Sequence, residues 1–293
     1  MILLSNARIE VRLDTPGEQY KGTRFDRSAY LYAISRKGVS FAAHEFPDQP
    51  IGTGGAGLCS EFGIFTSPGG FEETGLGDWF VKPGVGLLRK SSERYVFHEQ
   101  YECLPDTFEV VQHSRESVTL SSEGQEAGGC RMRISRTFTL TEDGVVIDYS
   151  LVNTGSKAIH TEEYVHNFIA IQERPIGPGY SFQMDAAADP DKLPSFIGTD
   201  GRLHRFTAAP KEPFYFRAEP TVARDDDVFE LSITYEGIGG FREIDWFLPS
   251  KVAVWGCPHA LSVESFKSID LQAGERIEYR REFILSCTPP ASR

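Results

Sequence analysis

The chain has 293 residues, 40% of them hydrophobic and 25% charged, the composition of a globular protein with material for a sizeable core. Its 42 acidic and 30 basic residues leave a formal charge of −12. That balance argues against nucleic acid, which is bound largely through phosphate neutralisation by Lys and Arg, and against an anionic membrane. It favours an uncharged small molecule as the partner. The five cysteines, Cys59, Cys103, Cys130, Cys257 and Cys287, are scattered and never form a CxxC pair. They read as free thiols of a cytoplasmic protein, not as a disulfide framework or a zinc site.

In chain order, Met1 to Ser5 runs at once into Arg8, Glu10 and Arg12, which suits a first strand better than a secretion leader. No later stretch approaches the roughly 20 apolar residues of a membrane span. From Pro47 to Pro83 the chain is rich in Gly and Pro yet carries Phe62, Phe65, Phe71, Trp79 and Phe80. A long irregular segment loaded with aromatics is either a binding rim or a cover over a sheet edge. Inside it, Gly52-Thr53-Gly54-Gly55-Ala56-Gly57 matches the dinucleotide fingerprint. No buried strand precedes it and no helix follows, so the match is accidental.

Beyond this loop the pattern has period two. Met132, Ile134, Phe138 and Leu140 alternate up to the turn Thr141-Glu142-Asp143-Gly144, and Val145, Ile147, Tyr149 and Leu151 resume the alternation. Two such runs around Asp-Gly predict a hairpin. Asn153-Thr154-Gly155-Ser156 makes the next turn and leads into a strand through Ile169. Ala186 to Ser195 reads as a polar surface excursion. Ile277, Tyr279, Phe283 and Leu285 alternate near the C-terminus. Strands and turns without interposed helices predict antiparallel sheets packed face to face, in one all-β domain over 1–293 with few short helices.

Two strands carry chemistry. In Thr161 to Ile169, period two places Glu162, Tyr164, His166 and Phe168 on one face and Val165 and Ile169 on the other. Aromatic rings, a carboxylate and an imidazole on one face suit a sugar, whose C–H faces stack on rings and whose hydroxyls take hydrogen bonds. In Leu261 to Phe266, Glu264 projects opposite Leu261 and Val263. Either residue alone would pass as ordinary strand decoration.

Together and in order, these segments resemble the galactose mutarotase-like superfamily, and within it the aldose 1-epimerases and hexose-6-phosphate mutarotases. The hairpin ending in Asn153-Thr154-Gly155 resembles the family's "NTG" turn. His166-Asn167-Phe168 resembles its "H-x-Y-F" acid strand, and Val263-Glu264-Ser265 with Leu271-Gln272-Ala273-Gly274-Glu275 its base strand and "L-x-P-G-E" tail. Pro16 to Asp26 is similar to an uncharacterised bacterial branch. The resemblance implies a β-supersandwich and an anomer-exchanging isomerase of a hexose or related sugar, acting as monomer or homodimer without cofactor or metal. It implies His166 as acid and Glu264 as base; Arg24, Lys82, Glu162, Tyr164 and Trp79 are the candidates for binding the sugar, a structural salt bridge to Asp26 being the other reading of Arg24. An acidic neighbour, Glu162 or Glu163, is expected to favour the imidazolium.

The chain departs from the pattern where the family has a second histidine; Lys82 stands there, and His98 is the nearby substitute. Arg89 and Lys90 are candidates for a sugar phosphate. The alternative function is a carbohydrate-binding protein of the same fold without catalysis. A glycoside hydrolase, which needs paired carboxylates, ranks behind both because Glu264 has no evident partner.

Overall fold

The computed structural model describes residues 1–221 and 227–288. The alternating runs become strands that turn one apolar face to the core. Met132–Leu140 and Gly144–Asn153 pair antiparallel around the turn, and Phe138, Ile147 and Leu151 enter the core from them. The buried Asn153 closes this unit. Its side chain donates to the carbonyls of Lys157 (2.8 Å) and Leu271 (2.9 Å) and accepts from Gly155 N–H (3.0 Å). The NTG turn thereby ties one sheet to the strand that carries Glu264.

Two ten-stranded sheets face each other. The first runs, in spatial order, Ile2–Ser5, Ile9–Leu13, Tyr30–Arg36, Leu58–Phe62, Ile159–Asn167, Ala260–Leu271, Lys251–Cys257, Phe214–Pro220 and Ala186–Ala188, with Val39–Ser40 paired to the third of these. The second is centred on Gly239–Asp245, Arg276–Cys287 and Gly144–Asn153. A small third sheet joins Trp79–Lys82, Gly86–Arg89 and Cys103–Pro105. Among the described residues the only helical segments are three short 3-10 turns, at Arg27–Ala29, Ile171–Glu173 and Pro190–Lys192. No helix among them is long and apolar enough to cross a membrane. The expected surface excursion after Ala186 begins instead as an edge strand, Ala186–Ala188, paired to Phe214–Pro220.

The space between the sheets is mainly apolar, with Val165 and Val263 from the first sheet meeting residues such as Phe283 and Leu285 from the second. A polar seam runs through it. Arg281, fully buried in the C-terminal strand, bonds Glu163 (2.9 Å), Glu243 (3.0 Å) and Asp245 (2.8 Å). Arg136 pairs with Asp26 and with Ser28 Oγ (2.7 Å). Buried charges persist only when paired and hydrogen-bonded in this way.

Candidate active site

The outer face of the first sheet, turned away from this core, carries the site. The register that sets Tyr164 opposite Phe266 and Ile169 opposite Leu261 also sets His166 opposite Glu264 on the neighbouring strand. His166 Nε2 and Glu264 Oε1 lie 3.4 Å apart, and both residues are 4% exposed. Their next residues in sequence point inward, because side chains alternate along a strand. Asn167 donates to Glu243 Oε2 (2.6 Å), and Ser265 Oγ accepts from Arg281 (2.6 Å). Thus the polar seam grips the backbone directly behind both side chains.

His166 is packed on three sides by rings. Phe168 stacks on it at 3.9 Å with 3° between planes, Trp255 meets it edge-on at 5.0 Å and Phe25 at 6.3 Å. The glycine-rich loop makes this packing possible: a Cβ on Gly55 would sit 2.1 Å from the Phe168 ring. The accidental nucleotide motif is therefore a wall of the site. It also holds Glu45, whose Oε2 accepts from Gly55 N–H (2.8 Å).

Above the pair opens a hollow of about 460 Å³, within the usual range for small-molecule sites of ~300–1,000 Å³. His166, Glu264, Tyr164, Arg24 and Glu45 line it, with Trp255, Tyr215, Ile64, Phe65, Phe97 and His98 around them. Arg24 is held by Glu61 (2.9 Å) and Glu45 (3.3 Å) and contacts Tyr164 Oη at 3.4 Å. Its guanidinium lies over the Phe25 and Phe97 rings. Tyr164 donates to the same Glu61 carboxylate (2.6 Å).

Three residues expected at the sugar stand elsewhere. Lys82 is fully buried behind the site, donating to Tyr95 Oη (2.6 Å) and the Phe62 carbonyl, with Glu61 Oε1 at 3.8 Å. Burial lowers its pKa to about 8, against the attraction of Glu61. Trp79 packs beside Val81, Leu87 and Cys130 under the small third sheet. Glu162 acts at one remove: it pairs with Lys251 (2.6 Å) and accepts from Phe65 N–H (2.6 Å), which fixes the rim loop. His98 does reach the rim. Of the sugar-phosphate candidates, Arg89 pairs with Glu102 (3.0 Å) and Lys90 donates to the Phe71 and Thr74 carbonyls. The aromatic loop is split: Phe65 is rim, whereas Phe71 and Phe80 are a buried cover with Tyr101. Sequence inspection missed Trp255, Tyr215, Phe97 and Glu45. Trp255 and Tyr215 left a signal, alternating with the apolar Val252 and Val254 and with Phe214 and Phe216 on their strands.

The electrostatics reverse one expectation. Glu163 turns inward to Arg281, and Glu162 is neutralised by Lys251, so neither supports an imidazolium. Desolvation, aided by the Arg24 charge, holds His166 well below its ordinary pKa of 6.5. Its Nδ1 has no hydrogen-bond partner among the described residues, so no acceptor there stabilises an imidazolium. Burial raises Glu264 to about 8, opposed by the Ser262 hydroxyl that donates to it (2.9 Å) and by Arg24. Both shifts favour the neutral forms, a protonated carboxyl beside an uncharged imidazole. Among the described residues, no group of three or more His, Cys, Asp or Glu is arranged to hold a metal ion.

Comparison with solved structures decides the architecture. A protein from Escherichia coli K12 proposed to be an aldose 1-epimerase superposes with a TM-score of 0.63 over 98% of this chain and 99% of its own, at 13% identity. A galactose mutarotase-like protein from Clostridium acetobutylicum gives 0.61 over 98% and 95%, at 10% identity. The chain has the galactose mutarotase-like fold. A galactose mutarotase-like protein from Lactobacillus casei ATCC 334 agrees, with a TM-score of 0.59 over 97% and 99% at 12% identity. No family model and no curated protein matches the sequence. The galactose mutarotase-like architecture is thus recognisable in backbone geometry at identities that establish fold alone.

Proposed function

We propose that the chain interconverts the α and β anomers of an aldose by acid–base ring opening at His166 and Glu264. The observation that supports this reading is the meeting of an imidazole and a carboxyl, 3.4 Å apart, on the floor of an open hollow. The two stand side by side on neighbouring strands. Side by side suits the chemistry, because the two oxygens that exchange protons, the C1 hydroxyl and the ring oxygen, are bonded to the same carbon. A pyranose lying over the floor offers both at once. Trp255 and Phe65 provide apolar faces, while Arg24 and Glu45 provide a donor and an acceptor for hydroxyls.

In the reaction, sugar hydroxyls solvate the Glu264 carboxylate as water would, and the proton passes to His166 Nε2. Glu264 then takes the C1 hydroxyl proton while the imidazolium protonates the ring oxygen. The C1–O5 bond breaks, C1 becomes an aldehyde, and rotation about C1–C2 exposes its other face. Reclosure runs the proton transfers backward and restores the pair. An imidazolium with an unmade hydrogen bond behind it is a stronger acid than an ordinary histidine, which favours delivery to an ether oxygen. Each transfer is worth roughly 10²–10⁴-fold.

The test is anomer exchange followed by NMR over a panel of aldoses. His166→Ala and Glu264→Gln are expected to lose exchange while keeping the far-ultraviolet circular dichroism of the parent. Exchange at the parental rate in both variants would overturn the assignment. Sugar binding without exchange in the parent would favour the binding-protein alternative.

A further inference from the structure

The outer face of the first sheet does not end at the hollow. Residues paired across neighbouring strands share a face, so the row from Glu264 passes through Ala253 to Arg217, and the row from Ser262 through Trp255 to Tyr215. On the strand of Tyr215 and Arg217, Glu219 is paired with Ala187 of the edge strand. Here lies a groove of about 720 Å³, larger than the hollow itself. Tyr215 lines both and is 47% exposed. From the Glu264 strand to the Ala187 strand is three strand spacings, about 14 Å, more than one six-membered ring spans.

We propose that this groove is a second sugar subsite, and that the substrate is a reducing disaccharide or longer oligosaccharide. Its free anomeric end lies over His166 and Glu264, and its next ring lies over Tyr215, Arg217 and Glu219. This deepens the anomer-exchange reading and rests on it. Tyr215 is fixed by its neighbour: Arg217 Nε donates to its hydroxyl (3.1 Å), and the Arg217 guanidinium lies 4.3 Å over the Phe65 ring of the hollow's rim. A tethered, half-exposed aromatic beside an arginine fork is a stacking platform with donors alongside. The charges of the groove cancel. Arg217 and Lys192 stand against Glu219 and Asp189, with Lys192 paired to Asp189 at 3.1 Å. Balanced donors and acceptors suit a neutral polyol; a phosphate would call for uncompensated cations.

Calorimetric binding and NMR anomer exchange, measured on the same samples of full-length protein, separate this inference from the reading beneath it. The probes are glucose, galactose, maltose, lactose and glucose 6-phosphate, with parent, Arg217→Ala and Ala187→Trp, the last filling the groove from its edge. A disaccharide is expected to bind at least about tenfold tighter than its monosaccharide, the worth of one charge-assisted hydrogen bond with ring stacking. Both variants should bring that ratio close to one. Equal affinity for one and two rings in the parent, or an advantage that both variants leave intact, would overturn the subsite. So would a preference for glucose 6-phosphate over the disaccharides that disappears in Arg217→Ala, since the guanidinium would then serve a phosphate. Tight disaccharide binding without exchange would support the subsite and sink the catalytic reading; exchange on monosaccharides with no second-ring advantage would do the reverse.

Discussion

At Glu264 a carboxyl has been raised to about 8 almost wholly by burial, which fixes both a pH profile and a stability cost. The working pair carries one proton, so its titration belongs to the pair. Activity is expected to be bell-shaped. It falls above about pH 8, as Glu264 loses the proton and no acid remains. It falls again on the acid side, below the ordinary histidine range, when His166 also protonates and no base remains. Exchange rates measured across pH check both limbs. The stability sign follows from the same raised value. Because the folded pKa exceeds the unfolded one, stability is complete below about 4.5 and declines as pH rises toward 8. Glu264→Gln cannot ionise, so it should be more stable than the parent at pH 8, by on the order of a few kcal/mol, while inactive. Thermal melts at pH 5 and pH 8 would show the gap opening. Lys82→Met tests the other buried ion. It should cost about 1–3 kcal/mol, because Tyr95 and the Phe62 carbonyl lose their donor, and leave the KM for sugar unchanged because Lys82 lies outside the hollow. A raised KM with unchanged melting would return Lys82 to the site.

At the scale of elements, alternation joins the proposed catalytic pair to the core. His166 and Glu264 face outward, and the residues after them, Asn167 and Ser265, are gripped from within by Glu243 and Arg281. Asn167→Ala leaves the Glu243 carboxyl without that donor, and Glu243 is already pushed well above its usual pKa by burial and by Asp245. The expected result is a stability loss of about 1–3 kcal/mol with a fall in kcat and little change in KM, since the imidazole shifts while the hollow's walls stay. Denaturant melts and steady-state kinetics on one preparation check both parts. The strands were legible in the sequence because period two survives burial on one face. That legibility stopped at Arg281, which occupies an inward position between Tyr279 and Phe283. A buried arginine looks like a solvent-face residue until its carboxylate partners, from Ile159–Asn167 and Gly239–Asp245, are brought beside it. Lys82 misled for the same reason: Glu61 and Tyr95 draw its side chain inward.

Over the whole molecule, the net charge of −12 gives little reason for an anionic ligand to approach, and the hollow pairs Arg24 with Glu61 and Glu45. Turnover of a neutral sugar should therefore be nearly insensitive to ionic strength, since screening acts on charged partners. A steep salt dependence of KM would point to a charged substrate. Composition and alternation were enough to read antiparallel sheets packed face to face, because a strand's facing is a local property of period two; the resemblance of the ordered His and Glu strands to a known family nominated His166 and Glu264. The tertiary structure alone decided that the two meet side by side, that burial favours their neutral forms, and which rings wall the hollow. Those facts depend on burial and on partners far apart in the chain, which no local pattern of residues encodes.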